Sequence, residues 1–586
     1  MHFHPNIRKT IAQAIVLATC FFASLAVAEA KRVEIVVNGV DSELQKNVLA
    51  HLSMHRLASD SKPQTESTIK RLYKRVDAEV ATALQAYGYY QPIVAADLQE
   101  LDAWRLTLSI TQGDQVKLRN VSLELNGQGQ ENASLNNIVS KSALVSGAGL
   151  SHAEYEAYKA SMRSRAYAIG YLDAQFTEHQ LRVFPSQARA DVVLNFDTGA
   201  RYFFGPITVQ QDTLNPDFVQ RFVKPRQGDP FEGAKLIQMQ LALSETNYFS
   251  SVGIDVQREE ASDFQIPVTV TAAPRKAAKY DFSVGFGTDT GPRVGIGADF
   301  RRVNRRGHRF KNQLQISGVA STLASQYIIP IGDVSSEFLD FSANVEQEKV
   351  NEVDVTEYRI GSSLNQNRWG GRRRLGLDLV HENWAFGDNP SDTATLLVPS
   401  IDFTKKNADD PFFVRRGYSG TVRLLGGVEN AGSDVSFFQL QLFAKAVVPL
   451  FEQSRLLLRS EFGATTTDVF DALPPSLRFF TGGAQSVRGY GYKDLSPRDL
   501  DGNRTGGKYL AAVSAEVDYL VYQNMGIALF VDAGDATREP LHSLKVGAGL
   551  GFRYRSPVGM LRIDLAHPFD DPDNDFRLHL SFGVDL

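Results

Sequence analysis

The C-terminal stretch Phe576-Arg577-Leu578-His579-Leu580-Ser581-Phe582-Gly583-Val584-Asp585-Leu586 alternates large apolar residues with polar or small ones without a fault. Strict alternation marks a strand with one apolar and one polar face. The same pattern recurs upstream, in Tyr280, Phe282, Val284 and Phe286 and again in Val294, Ile296, Ala298 and Phe300. From about residue 277 such strands, separated by turns, run to the last residue. A soluble β-sandwich would also alternate. The long strands, the aromatic-rich apolar face of the last one and the secretory leader described below favour a closed barrel, the sheet that satisfies every backbone group in hydrocarbon. Dividing the final ~310 residues by roughly 19 per strand plus turn gives about sixteen strands, an even number as bacterial barrels require.

The N-terminus supports a membrane destination. Basic Arg8 and Lys9 precede an apolar stretch from Ile11 to Val27, with small residues at Ala26, Ala28 and Ala30. This is the pattern of a secretory signal peptide over 1–30, leaving a mature chain that begins near Lys31. No later segment has the roughly 18 uninterrupted apolar residues of a spanning helix. The one cysteine, Cys20, falls inside the leader, so disulfides and cysteine metal sites are excluded from the mature protein. Thr19 before it and the apolar sequence after it argue against a lipoprotein site. With 43% hydrophobic residues, 22% charged and a net charge of -5, the chain reads as neither disordered nor a strongly basic nucleic-acid binder.

Between the leader and the barrel a mixed helix and strand pattern recurs about every 80 residues, the kind of period that signals repeated modules. Each helical stretch ends in a turn former followed by an aromatic: Gly88-Tyr89, Gly170-Tyr171 and Asn247-Tyr248. Gly or Asn there suits a left-handed helix cap. Alternating strands follow, clearest in Trp104-Leu106-Leu108-Ile110, Val192-Leu194-Phe196 and Ile266-Val268-Val270. The expected organisation is three β-α-α-β-β modules over 31–115, 116–200 and 201–276, then a 16-stranded antiparallel transmembrane barrel over 277–586. In class terms these are α+β repeats followed by an all-β domain.

One connection, 466–507, is too long for a tight turn, and long connections tend to be functional. It carries Ser486-Val487-Arg488-Gly489-Tyr490. On the next strand the apolar face of Tyr509, Ala511, Val513, Ala515, Val517 and Tyr519 turns Glu516 inward. On the strand after that, Ile527, Leu529 and Val531 face lipid, so Phe530 and Asp532 point inward. Two inward carboxylates on neighbouring strands make a charged recess, which an arginine on a folded-back loop bridges with bidentate bonds. The expectation is a loop latched within the lumen.

Val487-Arg488-Gly489-Tyr490 followed by Phe530-Val531-Asp532-Ala533-Gly534 resembles the paired signature of the BamA superfamily, whose members carry periplasmic POTRA domains and a sixteen-stranded barrel. The three modules look like POTRA domains, so the resemblance covers essentially the whole mature chain. Three such modules resemble the TamA branch, the outer-membrane subunit of the translocation and assembly module. Supporting text lies in Gly287-Thr288-Asp289-Thr290-Gly291-Pro292-Arg293, in Asn304 and Gly307-His308, in Asp409-Asp410-Pro411 with Arg415-Arg416-Gly417, and in Ser556-Pro557-Val558-Gly559 with Arg562, Asp564 and His567-Pro568. The resemblance implies that Arg488 is the latch arginine and that Glu516 and Asp532 accept from it.

No Gly-x-Ser-x-Gly elbow, phosphate-cradling loop or zinc-spaced histidine pair is present, so no enzymatic activity, metal or cofactor is expected. The resemblance implies instead an outer-membrane assembly factor for client proteins such as autotransporters. Its module edges accept client strands by β-augmentation. A barrel seam between the first strand, with Gly285 and Gly287, and the last, with Phe582 and Leu586, opens towards lipid, because strand glycines pair weakly. The implied partners are a TamB-like, inner-membrane-anchored periplasmic protein, unfolded clients and outer-membrane lipid, including phospholipid moved with TamB, and no nucleic acid. A two-partner-secretion pore or gated transport channel is the rival. It also predicts a barrel, but a passive pore has no need of the periplasmic modules.

Overall fold

A computed structural model describes residues 33–58, 65–101, 103–333, 336–540, 543–557, 559–571 and 575–583. The expected leader with Cys20, together with Val558 and residues 584–586, including Leu586 of the seam, lies outside the described residues.

The first module runs β1 (Val33–Asn38), helices α1 (Ser42–His51), α2 (Ser53–Ala58), α3 (Glu66–Tyr73) and α4 (Val76–Gln85), then β2 (Ile93–Glu100) and β3 (Trp104–Thr111). The two helical stretches expected here are thus divided into four helices. The break before α2 has a physical cause: Glu79 of α4 accepts from the Ser53 N–H at 2.8 Å and from its hydroxyl at 2.6 Å, a start supplied by a distant carboxylate. β1 pairs in parallel with β3, while β2 pairs antiparallel with it. Parallel neighbours need a crossover, and the helices provide it.

The second module has β4 (Lys117–Asn126), α5 (Ala133–Ser140), α6 (His152–Ala168), β5 (Gln175–Phe184) and β6 (Arg189–Asp197), in sheet order β4-β6-β5. The third has β7 (Phe203–Gln210), α7 (Pro216–Gln220), α8 (Gly233–Glu245), β8 (Phe249–Val256) and β9 (Gln265–Pro274), in order β7-β9-β8. The capping residues Gly88, Gly170 and Asn247 have φ of 86°, 97° and 64°. Each is left-handed, as the helix-end pattern requires.

Period-two patterning translates directly into the module cores. On β6, Val192, Leu194 and Phe196 are fully buried and share a cluster with Leu135 of α5 and Met162 of α6. The Phe196 ring lies 4.7 Å from that of Phe176. Phe196→Ala is expected to destabilise this module by about 3–5 kcal/mol, the usual cost of an aromatic-sized core cavity. Limited proteolysis of the full chain checks it: early cleavage within 116–200 is the expected outcome.

The chain packs as two compact units, one reaching to Pro206 and taking in Arg226–Leu236 and Gln257–Pro267, the other comprising Ile207–Pro225, Ile237–Val256 and the chain from Val268 on. The second unit contains the barrel. Its strands are β10 (Ala278–Gly287), β11 (Gly291–Phe300), β12 (Arg309–Ser317), β13 (Ala320–Pro330), β14 (Phe338–Val350), β15 (Val353–Arg368), β16 (Gly371–Phe386) and β17 (Asp392–Ala408). There follow β18 (Gly417–Gly427), β19 (Phe437–Phe451), β20 (Ser454–Thr466), β21 (Tyr509–Tyr522), β22 (Met525–Thr537), β23 (Lys545–Ser556), β24 (Gly559–Pro568) and β25 (Arg577–Gly583). They form one 16-stranded sheet in sequence order.

Burial is inverted relative to a soluble protein. Tyr280, Phe282, Val284 and Phe286 of β10 are exposed, whereas Asp340, Asp378, Glu382, Asp402, Glu516, Asp532 and Arg553 are buried. An apolar exterior around a charged interior is what lipid demands of a strand. The long connection occupies 467–508 and holds two short helical turns, Phe470–Ala472 and Pro475–Leu477.

Candidate functional site: a latched loop and an unpaired seam

The loop between β20 and β21 folds back so that Val487, Arg488 and Tyr490 are all buried. Gly489 lets it do so: its φ is 100°, and a Cβ there would lie 3.0 Å from the Pro568 nitrogen. Across the gap, Gly547 of β23 leaves room for the loop backbone, since a Cβ would sit 1.9 Å from the Arg488 carbonyl oxygen. Gly547→Val is therefore expected to displace the Arg488 backbone and loosen the loop by about 1–3 kcal/mol, the range for overpacking. Hydrogen exchange of the 486–490 amides measures it.

All five guanidinium donors of Arg488 are used. Nε and Nη2 reach the two Asp532 oxygens at 2.7 and 2.9 Å, a bidentate fork. Nη1 reaches Glu516 Oε2 at 2.6 Å and Asp564 Oδ2 at 3.2 Å, and Nη2 also reaches Ser514 Oγ at 3.4 Å. The Arg488 main-chain N–H donates to Asp532 as well, at 3.0 Å. Below, the guanidinium carbon lies 3.5 Å from the centre of the Phe530 ring, a cation–π contact within a desolvated site. Burial alone would push the Arg488 pKa down, but the bond to Asp532 and the charges of Asp532, Glu516 and Asp564 raise it instead.

The network continues beyond the residues read from the sequence. Arg553 of β23 donates from Nη2 to Glu516 Oε1 at 2.7 Å and from Nη1 to Asp564 Oδ1 at 2.5 Å, and its Nε lies 3.3 Å from Asp518 Oδ1. Arg455 of β20 then donates to Asp518 Oδ2 at 2.8 Å and to the Val414 carbonyl at 2.5 Å. Val414 belongs to the turn between β17 and β18, which Asp409 and Asp410 fold by accepting main-chain N–H bonds from Arg415, Arg416, Phe412 and Phe413 at 2.8–3.0 Å. A buried chain of alternating charges thus joins the loop on one side of the barrel to a turn on the other. His579 of β25 also takes part, accepting from the Gly489 N–H at 3.0 Å.

Asp564, Arg553, Asp518, Arg455 and His579 were not assigned roles from the sequence. The signal was present in strand alternation, which turns each inward, and in the glycines at 547, 549 and 551, which leave one stripe of the wall without side chains. Gly534 lies outside the latch: it pairs with Ala512 of β21, which packs with Val487, Tyr490 and Leu495. Further ties hold the loop to the wall, with Lys493 donating to Glu348 at 2.6 and 2.7 Å, Arg504 to Glu352 at 2.7 Å, and the Ser476 N–H to Glu382 at 3.1 Å.

The seam residues form a second locus. β10 and β25 stand at the two ends of the sheet order, with no backbone ladder joining them among the described residues. Across this gap the Leu580 N–H donates to Oγ1 of Thr288, in the turn after β10, at 3.2 Å. Gly285 and Gly287 pair away from the seam, with Arg293 and Gly291 of β11, and Phe582 pairs with Leu561 of β24. β10 has 10 residues, against 16 and 17 in β16 and β17 on the far wall.

The sequence and the fold are both similar to those of known proteins. Residues 288–585 match the Omp85 superfamily domain, and residues 34–112 match the POTRA domain described as TamA domain 1. Outer membrane protein assembly factor BamA of Nitratidesulfovibrio vulgaris is 28% identical over 378 residues, 60% of this chain and 47% of the relative. The protein of the same name from Neorickettsia risticii is 23% identical over 429 residues, 68% and 57% of the two chains. This chain spans about half the length of these curated relatives. The crystal structure of BamA from Haemophilus ducreyi lacking POTRA domains 1–3 has the same fold, with a TM-score of 0.68 at 15% identity over 80% of this chain and 99% of that one. The family model covers half the chain, including nearly all of the barrel, and on that match the protein belongs to the Omp85 superfamily.

Proposed function

We propose that this protein is an outer-membrane assembly and translocation factor that inserts or secretes client proteins such as autotransporters. It acts with a TamB-like, inner-membrane-anchored partner and, with that partner, moves phospholipid between membranes. The barrel lies in the outer membrane and the N-terminal modules in the periplasm. In this proposal residues 1–30 are removed, the modules divide at 115/116, 200/201 and 276/277, and Arg488 is the latch that holds the loop in the lumen.

The observation that carries the proposal is the seam. A barrel whose terminal strands share no ladder among the described residues presents strand edges within the membrane, and an unpaired edge is a template for another strand. The edge strand β2 of the first module, where Ile93 is exposed, offers a second such template in the periplasm. The TamA-type match of the first module supports the TamB-like partner, and the names of the relatives support assembly.

The test is affinity purification of the tagged protein from gently solubilised envelopes. Co-purification of a large TamB-like protein supports the reading. Recovery of the lipoproteins of the main barrel-assembly machine overturns the choice of branch, and a lone barrel that conducts ions in planar bilayers favours a channel.

A further inference from the structure

The turn between β11 and β12 reads Arg301-Arg302-Val303-Asn304-Arg305-Arg306-Gly307-His308-Arg309, five arginines in nine residues. Its place in the membrane follows from strand order. The chain enters β10 from the periplasmic modules, so the turn after β11 returns to the periplasmic side. Just above it Phe300, Phe310, Tyr327 and Phe341 lie in register across β11 to β14, with successive rings of the first three 6.2 and 6.4 Å apart. An aromatic row on the lipid face marks the headgroup level of a bilayer. Arg301, Arg302 and Arg309 sit next to that row, and Arg305 and Arg306 lie at the tip of the turn beyond it, on the side of the headgroup phosphates.

The turn is built, with a fixed backbone. Asn304 Oδ1 accepts from the Arg306 N–H at 2.9 Å and the His308 N–H at 3.3 Å, and the Val303 N–H donates to the His308 carbonyl at 2.7 Å. Tyr248 donates to the Gly307 carbonyl at 2.5 Å, and the Asn215 N–H donates to the Arg305 carbonyl at 2.8 Å. The charges are left unspent. Arg309 pairs with Asp299 and Arg301 with the Lys276 carbonyl, but Arg302, Arg305 and Arg306 have no carboxylate partner among the described residues. Arg305 and Arg306 are exposed, and Val303 between the arginine pairs is 49% exposed.

We propose that this turn binds the phosphate headgroup of an anionic phospholipid in the periplasmic leaflet, immediately beside the seam strand β10. Guanidinium groups fork onto phosphate oxygens, and Val303 enters the acyl boundary next to the aromatic row. An acidic protein segment would satisfy the charge but not the exposed valine at headgroup level. The inference rests on the outer-membrane placement and not on client assembly, so it stands or falls separately from that reading.

The test uses the full protein in nanodiscs of phosphatidylcholine containing a minority of phosphatidylglycerol, with retained lipid counted by native mass spectrometry. Heat-modifiable gel migration confirms that each variant is folded. The triple variant Arg302→Gln, Arg305→Gln, Arg306→Gln is expected to retain roughly tenfold less phosphatidylglycerol, with phosphatidylcholine unchanged. Removing two positive charges on the extracellular side, Lys349→Gln with Arg538→Gln, is expected to leave retention intact. Equal retention by the triple variant overturns the proposal, as does an equal loss in the extracellular control. Displacement of the lipid by inorganic phosphate at matched concentration assigns the site to free phosphate instead and overturns the lipid assignment. Loss of an envelope protein partner with unchanged phosphatidylglycerol retention identifies an acidic partner and has the same consequence.

Discussion

Arg488→Ala releases the tip of the 467–508 loop and raises its cleavage by externally added protease by two or more orders of magnitude. The expectation follows from what the substitution leaves behind. Asp532 is 0% exposed and Glu516 and Asp564 are nearly as buried, so three carboxylates lose the cation that ties them to the loop. Removing one partner of a buried ion pair costs about 3–5 kcal/mol, because the remaining charge stays desolvated. Each 1.4 kcal/mol is about tenfold in an equilibrium, and cleavage follows the open fraction when opening is fast. The ties from Lys493 to Glu348 and Arg504 to Glu352 remain, so the opening is confined to the tip around 486–490. Arg488→Lys falls between wild type and alanine, since an ammonium keeps the charge but cannot fork onto Asp532. Mass spectrometry of protease-treated cells locates the cuts. Wild-type resistance in the alanine variant would rule out the latch.

Locking the seam is expected to block the proposed client assembly. The Leu580 N–H bond to Thr288 Oγ1, at 3.2 Å, sets these two residues side by side on the terminal edges. Bond-length arithmetic places their Cα atoms within about 7 Å, the upper reach of a disulfide. The sequence has one cysteine, Cys20 in the expected leader, so Thr288→Cys with Leu580→Cys introduces a defined pair without competition. If the edges must part to accept a client strand, oxidation or a short thiol cross-linker reduces autotransporter surface display at least tenfold, and reductant restores it. Undiminished display with the link complete would show that clients do not pass through the seam.

These two expectations differ in how far the sequence alone reached them. The recess around Glu516 and Asp532 was legible because strands have a period of two: once Ile527, Leu529 and Val531 face lipid, Asp532 has nowhere to point but inward. Arg488 was legible through its motif, and the structure brings it between those two carboxylates. For Arg553, Asp518 and Arg455 alternation gives the inward direction but not the partners. Which inward charges touch depends on register between strands and on the depth to which the loop enters, and neither is encoded in local periodicity.

The first module shows the same limit on a smaller scale. Its helical part was marked by the Gly88-Tyr89 end signal, yet its division into four helices depends on Glu79 reaching back to Ser53 across 26 residues. The seam is the clearest case of all. Length divided by the span of a strand and its turn gave about sixteen strands, as the structure has, and alternation assigned the faces of those it marked most clearly, because lipid and lumen impose that choice residue by residue. Whether the first strand meets the last was decided by tertiary structure alone, because closure is a property of the whole sheet's stagger and tilt rather than of any one strand.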